Sequence, residues 1–383
     1  MDNSFFTTSV DKAFEGYCGF WSAQAGGSEA RHIYNFGQDS TFAGSTPAGG
    51  YKDATGIGDF KYPVPDGALA LCSNNLSRLD NQRNTTSLIN PKKHFGVVTW
   101  SANSSTSNRK ISGLEFQPDF VWSKTRNHTY HHVLIASVRG PSKRLNSDQN
   151  FVENHTNGGY LASFDHDGFT WQYGGGSSNA WWNDSGKNYV AFCWKGGGTA
   201  VSNSDGTITS QVSANQESGF SVVTYTGTGA DASVGHGLGT KPQVLFVKSR
   251  TNTDNWKVWF KGVTTTDAMS WQLDTNGSNY SGSDKWYNSP NGNDTTTTTF
   301  GVSNDGATNR SGELFVAYCW TAIKGYSSFG TYKGNGQADG PYVDVGFRPA
   351  MIIIKAYSIR GSSYTWFMCN STTGPYNNIY QRL

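Results

Sequence analysis

Histidine and aspartate side chains, the residue types that bind metal ions, gather in two short stretches of the sequence. The stretches are Asn127-His-Thr-Tyr-His-His132 and Asp165-His-Asp167, with His155 between them. Their spacing matches no standard zinc site, and Asp165-x-Asp167-Gly168 lacks the remaining ligands of a calcium loop. Turn residues that precede a strand explain the pattern better, so we expect no bound metal and no cofactor.

Other patterns that could carry chemistry are also incomplete. The Gly-Gly-Gly runs at 174–176 and 196–198 are not followed by Gly-Lys-Ser/Thr, so neither is a phosphate-binding loop. Glutamate is sparse, and no pair of carboxylates stands out for glycoside hydrolysis. We therefore expect a protein that is not an enzyme and assign no catalytic residues. A polysaccharide depolymerase whose carboxylates come from distant strands stays open as an alternative.

Aromatic residues in loops give the stronger indication of binding. Two clusters stand in stretches rich in Gly, Ser and Asn, where an exposed ring can stack on a sugar while amides and hydroxyls bond its hydroxyl groups. The competing interpretation is that the rings fill the core, since an aromatic side chain buries a large area. The candidate carbohydrate-binding residues are Trp171, Tyr173, Trp181, Trp182, Asn183, Trp286 and Tyr287.

A repeated order of motifs must position these loops. Each repeat opens on a strand motif that begins with Phe, at 95–100, 220–225 and 329–332. A run of apolar residues follows, which starts just after a proline and ends in lysine. These runs are Pro118–Lys124, Pro242–Lys248 and Pro349–Lys355. A chain that copies one module is typically a structural or binding protein rather than an enzyme.

The closing motif of each repeat predicts how its core is built. It reads Tyr189-Val-Ala-Phe-Cys-Trp194 in the first repeat and Phe315-Val-Ala-Tyr-Cys-Trp320 in the second. Alternation with period two predicts a strand. We expect Val190, Phe192, Val316 and Tyr318 on one side, and Ala191, Cys193, Ala317 and Cys319 on the other. The small residues then allow a tight contact between two sheets, with the cysteines as buried free thiols.

Strand signals dominate and helical periodicity is nearly absent, so we predict an all-β chain of tandem antiparallel β-sandwich modules of the jelly-roll or lectin-like kind. The third repeat has no closing motif, so we expect a truncated module or strands contributed by another chain. The predicted segments are a first piece at 1–91, module one at 92–200, a linker at 201–218, module two at 219–325 and a partial module three at 326–383.

Composition excludes several classes of protein. The 383 residues carry 15% charged side chains and a net charge of +2, which gives no field that attracts nucleic acid. No apolar run approaches the roughly 20 residues that a membrane span needs. The first residues, Met1-Asp-Asn-Ser-Phe-Phe, contain no signal-peptide pattern, so an extracellular role would need release by cell lysis rather than secretion.

Several longer strings resemble a repeat module of tailed-bacteriophage virion proteins of the marine, cyanophage type. They are Val201-Ser-Asn-Ser-Asp-Gly-Thr-Ile-Thr-Ser, Gly219-Phe-Ser-Val-Val-Thr-Tyr-Thr-Gly-Thr-Gly and Gly325-Tyr-Ser-Ser-Phe-Gly-Thr-Tyr-Lys-Gly-Asn-Gly. The first piece resembles the end of a SPRY-type β-sandwich. Its matching strings are Tyr34-Asn-Phe-Gly-Gln-Asp39, Gly58-Asp-Phe60 and Pro65-Asp-Gly-Ala-Leu-Ala-Leu-Cys-Ser-Asn-Asn-Leu76.

The resemblance implies a protein that is made in the host cytoplasm and placed on the virion, and it brings no catalytic residues. We expect a tail fibre or tail-associated adhesin that attaches to a host surface polysaccharide or protein receptor. Its expected partners are other virion proteins and further copies of itself, with a trimer favoured because incomplete modules leave strand edges to be covered. The alternatives are a capsid decoration or head-fibre protein, and the depolymerase.

Overall fold

A computed structural model describes most of the repeat region and a small part of the residues before it. The described residues are 40–41, 44, 46–54, 56–64, 70, 90–153, 158–174, 181–261, 269–276, 280–281, 286, 288–289, 292–293, 295–337, 340–356 and 365–374. The chain divides into two compact units, Met1–Thr85 and Thr86–Leu383. In the described residues strands far outnumber helices and the sheets are antiparallel, which confirms the predicted all-β sandwich class.

The first unit is described only around one short β-bridge, between Tyr51 and Phe60. The Asp53 carboxylate accepts hydrogen bonds from the backbone N–H groups of Ile57, at 3.0 Å, and Ala70, at 2.8 Å. This buried carboxylate therefore holds a local turn. Most of the residues that resemble a SPRY sandwich lie outside the described residues, so that resemblance stays a prediction.

Module one forms two antiparallel sheets. The strands are β1 (Phe95–Ser101), β2 (Arg109–Ser112), β3 (Phe120–Thr125), β4 (Val133–Ala136), β5 (Tyr160–Asp165), β6 (Gly168–Gln172) and β7 (Asn188–Trp194). The larger sheet has the order β1-β7-β3-β4 and the smaller has the order β2-β6-β5. Single turns of 3₁₀-helix at Pro91–Lys93 and Ser137–Arg139 precede β1 and follow β4.

Module two is built on one large and one small sheet. Its main strands are β8 (Val201–Asn203), β9 (Ser210–Asn215), β10 (Phe220–Thr226), β11 (Ala232–Gly235), β12 (Val244–Ser249), β13 (Lys257–Phe260), β18 (Thr299–Val302) and β19 (Leu314–Trp320). The six-stranded sheet has the order β13-β12-β19-β10-β9-β8, and the two-stranded sheet pairs β11 with β18. Four two-residue strands form two further pairs, β14 (Met269–Ser270) with β15 (Tyr280–Ser281) and β16 (Asn288–Ser289) with β17 (Gly292–Asn293). A one-turn helix, α1 (Gly306–Asn309), is capped by the Asp305 carboxylate, which accepts from the N–H of Ala307 at 2.8 Å.

The two modules share strand order and register, as the repeated motifs predict. The order β1-β7-β3-β4 recurs as β10-β19-β12-β13, and the pair β2-β6 recurs as β11-β18. Cys193 lies opposite Gly96 and Val121, while Cys319 lies opposite Ser221 and Leu245, so the equivalent positions coincide. In both modules the closing strand is central, between the strand that opens the module and the strand that follows the proline.

The predicted linker at 201–218 is wrong, because this segment belongs to the second large sheet. Strand β8 pairs with β9, and β9 pairs with β10 over six residues. The chain reverses at Gly219, whose φ of +68° favours glycine. A Cβ atom there would also lie 2.6 Å from the carbonyl oxygen of Thr321. The Ser/Thr/Asn composition that indicated a linker is therefore that of an edge hairpin.

The closing strands confirm the predicted alternation and also reveal a third core. Ala191 and Cys193 face the inner core of module one, between its two sheets, and Ala317 and Cys319 face that of module two. Val190, Phe192, Val316 and Tyr318 all face one core that the two modules share. The modules thus pack large sheet against large sheet, in four layers, rather than end to end as tandem sandwiches would stack.

Aromatic rings fill the shared core. The ring centre of Phe120 in module one lies 4.5 Å from that of Tyr318 and 5.9 Å from that of Phe220 in module two. The ring centres of Trp194 and Phe220 lie 6.1 Å apart. Contact between such large side chains across the two sheets removes a wide apolar surface from water, so the two modules form one compact body.

A buried ion-pair network also crosses from one module to the other. Glu153 of module one accepts from Arg139 at 2.5 Å and from Arg250 of module two at 2.8 Å. Arg139 also donates to the Tyr318 hydroxyl at 3.2 Å. Burial alone would raise the pKa of Glu153, but the two guanidinium groups lower it. The carboxylate is therefore charged and links the segment that follows β4 in one large sheet to the segment that follows β12 in the other.

Module three contributes one hairpin to the same body. Strand β20 (Met351–Ile354) pairs with β21 (Phe367–Asn370) in antiparallel register. Met351, Ile353 and Met368 pack against the shared core. Among the described residues, no helix is long and apolar enough to cross a membrane.

Candidate functional site

Three of the predicted carbohydrate-binding rings lie in the cores instead of on the surface. Trp171 and Trp182 are fully buried in the inner core of module one, and Trp286 is 6% exposed in that of module two. Trp182 stacks on Trp100 with ring centres 6.3 Å apart. The prediction that these rings bind sugar is therefore wrong, because no ring face is left for a ligand. The competing interpretation, core filling, holds for all three.

Asn183 is also buried, and its amide is used within the protein. Its side-chain oxygen accepts from the N–H of Asn103 at 2.9 Å and from Arg109 at 3.0 Å. Its amide nitrogen donates to the Asn103 side chain at 2.8 Å and to the Ser105 carbonyl at 3.1 Å. Asn183 therefore fixes the loop after β1 and is not a sugar-binding residue.

The remaining candidates differ in position. Tyr173 is half-buried against the inner core of module one. Trp181 is half-buried near the surface, where it stacks on His131 at 5.8 Å, and the guanidinium carbon of Arg144 lies 4.5 Å from its ring centre. Tyr287 lies outside the described residues. Among the described members of the predicted set, Trp181 alone approaches the cleft described next, since its partner His131 bonds Asp148, which lines that cleft.

A cleft of about 530 Å³ opens where the three modules meet. We call it the seam cleft. Module one supplies Trp122, His132, Ser147 and Asp148, module two supplies Leu273, Asp274, Thr275 and Asn276, and module three supplies Ile353, Thr365, Trp366 and Met368. None of these residues is in the set predicted from sequence.

One wall of the seam cleft is apolar and held rigidly. The indole N–H of Trp366 donates to the Gln272 carbonyl at 2.9 Å. Its ring meets those of Trp271 and Phe246 edge to face, with centres 6.2 and 6.4 Å apart. The Lys355 ammonium lies 5.7 Å from the Trp366 ring centre. These contacts fix the orientation of the indole before any ligand arrives.

A series of hydrogen-bonded side chains forms the module-one side of the seam cleft. The Asp148 carboxylate bonds Nδ1 of His131 at 2.8 Å and accepts the N–H of His132 at 3.1 Å. Nδ1 of His132 accepts from the indole N–H of Trp122 at 3.0 Å, so Nε2 carries the proton in the neutral ring. Burial lowers the pKa of His132 to about 4 despite the nearby Asp148, so this histidine is neutral at physiological pH.

The module-two side carries polar atoms that the described protein leaves unsatisfied. Asp274 Oδ1 and Thr275 Oγ1 are buried and have no hydrogen-bond partner among the described residues. Burial raises the pKa of Asp274 to about 6, against the opposing effects of backbone hydrogen bonds and of Lys248. Buried polar atoms without partners are costly, and binding sites are among the places where proteins keep them.

The sequence comparison places this cleft within a single family domain. Residues 90–383 match a family described as a domain of unknown function, DUF7483. The chain belongs to this family. No curated protein and no solved structure matches the chain. The DUF7483 domain starts close to Thr86, where the second compact unit begins, and contains all three modules and the whole seam cleft.

The seam cleft of the DUF7483 domain combines the groups that recognise sugars. A fixed indole offers a flat apolar face, while carboxylates, hydroxyls and an amide offer hydrogen-bond partners to ring hydroxyl groups. Among the described residues no group of three His, Cys, Asp or Glu side chains could hold a metal ion. The indole face and the polar side chains together suit a polar, hydroxyl-rich ligand.

A repeated position could have indicated part of this cleft. His132, Trp256 and Trp366 each directly precede the second strand of their module's Pro-strand hairpin, β4, β13 and β21. His132 and Trp366 line the cleft. Trp256 is fully buried in the shared core, where it donates to the Asn146 carbonyl at 2.8 Å. Asp148 and Asp274 carry no such signal, because they lie in ordinary polar loops.

Proposed function

We propose that this chain is a structural appendage of a phage particle whose DUF7483 domain attaches to carbohydrate on the host cell surface through the seam cleft. The observation that carries the proposal is the rigid Trp366 ring beside the unsatisfied oxygens of Asp274 and Thr275. A sugar ring can cover the indole while its hydroxyl groups bond the polar side chains that line the cleft, among them Asp148 and Asp274.

The particle placement rests on the sequence resemblance to tailed-phage virion proteins, and the architecture is compatible with it. Three modules joined through one core form a stiff body, which suits a protein that must hold a binding surface away from a particle. We propose a tail or tail-fibre position and a homo-oligomer, with a trimer favoured. A capsid decoration protein is the alternative, and labelled antibodies imaged on intact particles separate the two.

The binding proposal is tested with the protein and its host. Added DUF7483 domain should compete with particles for adsorption, and purified host polysaccharide should bind it saturably. Trp366→Ala should abolish both effects, and Asp274→Asn, which keeps the size of the side chain, should weaken both by about tenfold or more. Tyr342→Ala is the matched control, because Tyr342 is an exposed aromatic residue that does not line the cleft. Full competition by a folded Asp274→Asn variant would contradict the proposal.

Hydrolysis of the bound polysaccharide is a second candidate, which one observation favours. Asp148 and Asp274 line the same cleft, and burial raises the pKa of Asp274 to about 6. Two carboxylates in different environments can act as general acid and as base or nucleophile. Appearance of new reducing ends from host polysaccharide, lost in Asp274→Asn, would establish the enzyme. If the protein binds the polysaccharide but releases no reducing ends, the proposal of an adhesin without hydrolytic activity stands.

A further inference from the structure

His132 offers a single hydrogen-bond donor to the seam cleft. Its Nδ1 atom accepts the indole N–H of Trp122 at 3.0 Å, so the proton of the neutral ring lies on Nε2. Within the described part of the chain Nε2 has no hydrogen-bond partner, yet it is not a buried atom. Because His132 lines the cleft, its Nε2–H group can donate to a ligand there.

Contacts along the backbone and the ring hold His132 in one orientation. Its backbone N–H donates to Asp148 Oδ1 at 3.1 Å, and its carbonyl accepts from the Asn146 side chain at 2.6 Å. The buried Trp122 ring meets the imidazole edge to face, with ring centres 6.1 Å apart. A donor that is fixed before the ligand arrives loses little conformational entropy on binding, so its direction can select among ligands.

The carboxylates that line the same cleft offer the opposite kind of group. Asp148 and Asp274 accept hydrogen bonds when they are ionised and donate none. A ligand group that only donates would therefore bond the carboxylates but leave Nε2–H of His132 without an acceptor. A negatively charged ligand group would accept from His132 but would be repelled by both carboxylates. The best match is a neutral group that carries one acceptor and one donor.

A third part of the lining is apolar. Leu273, Ile353 and Met368 line the cleft together with the Trp366 ring. All four pack in or against the shared core, so they extend its apolar surface to the wall of the cleft. An apolar substituent of a sugar would leave water on contact with this wall, which favours its binding.

We propose that the carbohydrate bound in the seam cleft carries N-acetylated amino sugars and that His132 is the residue that selects them. This inference rests on the proposed function of the cleft. An acetamido group presents a carbonyl acceptor, an N–H donor and a methyl group, which match Nε2–H of His132, a carboxylate of the cleft and the apolar wall. A free amine lacks the acceptor, a uronic acid carries the wrong charge, and a hydroxyl group lacks the methyl.

The first test varies the ligand and keeps the wild-type chain. Purified host polysaccharide is titrated in its native form, after de-N-acetylation with base, and after re-N-acetylation with acetic anhydride. The de-N-acetylated form should bind at least about tenfold more weakly, because His132 loses its acceptor, and re-N-acetylation should restore the affinity. The free amine is attracted by Asp148 and Asp274, so its charge cannot account for a loss of affinity.

The second test removes the donor. His132→Phe should weaken binding of the native polysaccharide by about tenfold and should bind the native and de-N-acetylated forms within about twofold of each other, because both changes remove the same contact. His166→Phe is the matched control, since the His166 side chain is 84% exposed and does not line the cleft. This variant should discriminate between the two forms as the wild type does.

The ¹⁵N resonances of His132 in the wild type give a result that does not depend on the fold of His132→Phe. They should show the proton on Nε2, and the Nε2 resonance should shift when the native polysaccharide binds. Equal affinity of the wild type for the native and de-N-acetylated forms would overturn this inference and leave the carbohydrate proposal standing. Saturable binding of a host polysaccharide without acetamido groups would do the same. Absence of saturable binding by every form would instead overturn the carbohydrate proposal itself.

Discussion

Replacing Glu153 by glutamine should loosen the contact between modules one and two. The carboxylate is the common acceptor for Arg139, whose side chain is fully buried, and for Arg250. Glutamine has nearly the same shape but carries no charge, and its single side-chain oxygen cannot serve both guanidinium groups. The variant would therefore leave positive charge in the contact without a counter-ion, while the surrounding packing stays intact.

The expected magnitude follows from burial. Removing one partner of a buried ion pair costs about 3–5 kcal/mol, and the smallest figure applies here because glutamine keeps one hydrogen bond. For a unit of roughly 300 residues, about 3 kcal/mol lowers the melting midpoint by about 5 °C. Asp254→Asn is the matched control. Asp254 pairs with the more exposed Arg310 at 3.3 Å, and an exposed pair contributes about 0–1 kcal/mol.

The pH dependence of stability provides a second test of the role of Glu153. The arginines lower the pKa of Glu153 below its ordinary value of 4.5. Its contribution to stability is therefore present above pH 4.5 and is lost as the pH falls through the lower value of the folded state. The difference between wild type and Glu153→Gln should be largest near neutral pH and should shrink below pH 4.5.

Urea unfolding followed by tryptophan fluorescence and by circular dichroism measures both effects. With a shared core, the two probes should report one transition for modules one and two, and Glu153→Gln should shift it as a whole. Two separate unfolding transitions, of which Glu153→Gln shifts only one, would refute the claim that modules one and two form one body. A loss no larger than that of Asp254→Asn would refute the role of the buried network.

Three further predictions follow from the cores and the cleft. Trp182→Ala should cost about 3–5 kcal/mol of stability but leave carbohydrate affinity unchanged in the folded fraction, measured by denaturation and titration. Burial raises the pKa of Cys193 and of Cys319, so neither thiol should react with a thiol reagent until the protein unfolds, and labelling of the native protein would contradict their placement. Asp274→Asn should raise the melting midpoint at pH 8, because a carboxyl group whose pKa is raised in the folded state destabilises that state once it is ionised, above about pH 6. The same substitution should weaken carbohydrate binding by roughly tenfold or more, because it removes a charged hydrogen-bond acceptor. Affinity of the wild type should fall as the pH drops through about 6, while the variant should show no such step.

The sequence was sufficient to predict the strands and the repeat, because both depend on local pattern. The closing motif is apolar on both of its sides, and its apolar outer side indicated that the two modules share a core. A free sandwich module would carry polar residues on its outer faces, whereas Phe192 and Tyr318 point out of their own modules. We predicted the alternation correctly but not that a second large sheet would cover those residues.

The candidate site was not predicted because it exists only after the three modules meet. Asp148, Asp274 and Trp366 are far apart in sequence and lie in loops of ordinary composition. Trp171 and Trp182 flank a stretch of sequence rich in Gly, Ser and Asn, yet both are buried in the inner core of module one. Aromatic residues in a polar stretch therefore indicated burial here. The equivalent position of His132 and Trp366 in their modules was the better indication of the cleft.

The most direct test of the carbohydrate proposal is hydrogen exchange of the chain with and without an oligosaccharide from the host surface. We predict slower exchange at residues 272–276 and 365–368, which border the seam cleft, and loss of this protection in Trp366→Ala. Protection centred on residues 181–184, with exchange at the cleft unchanged, would contradict the account.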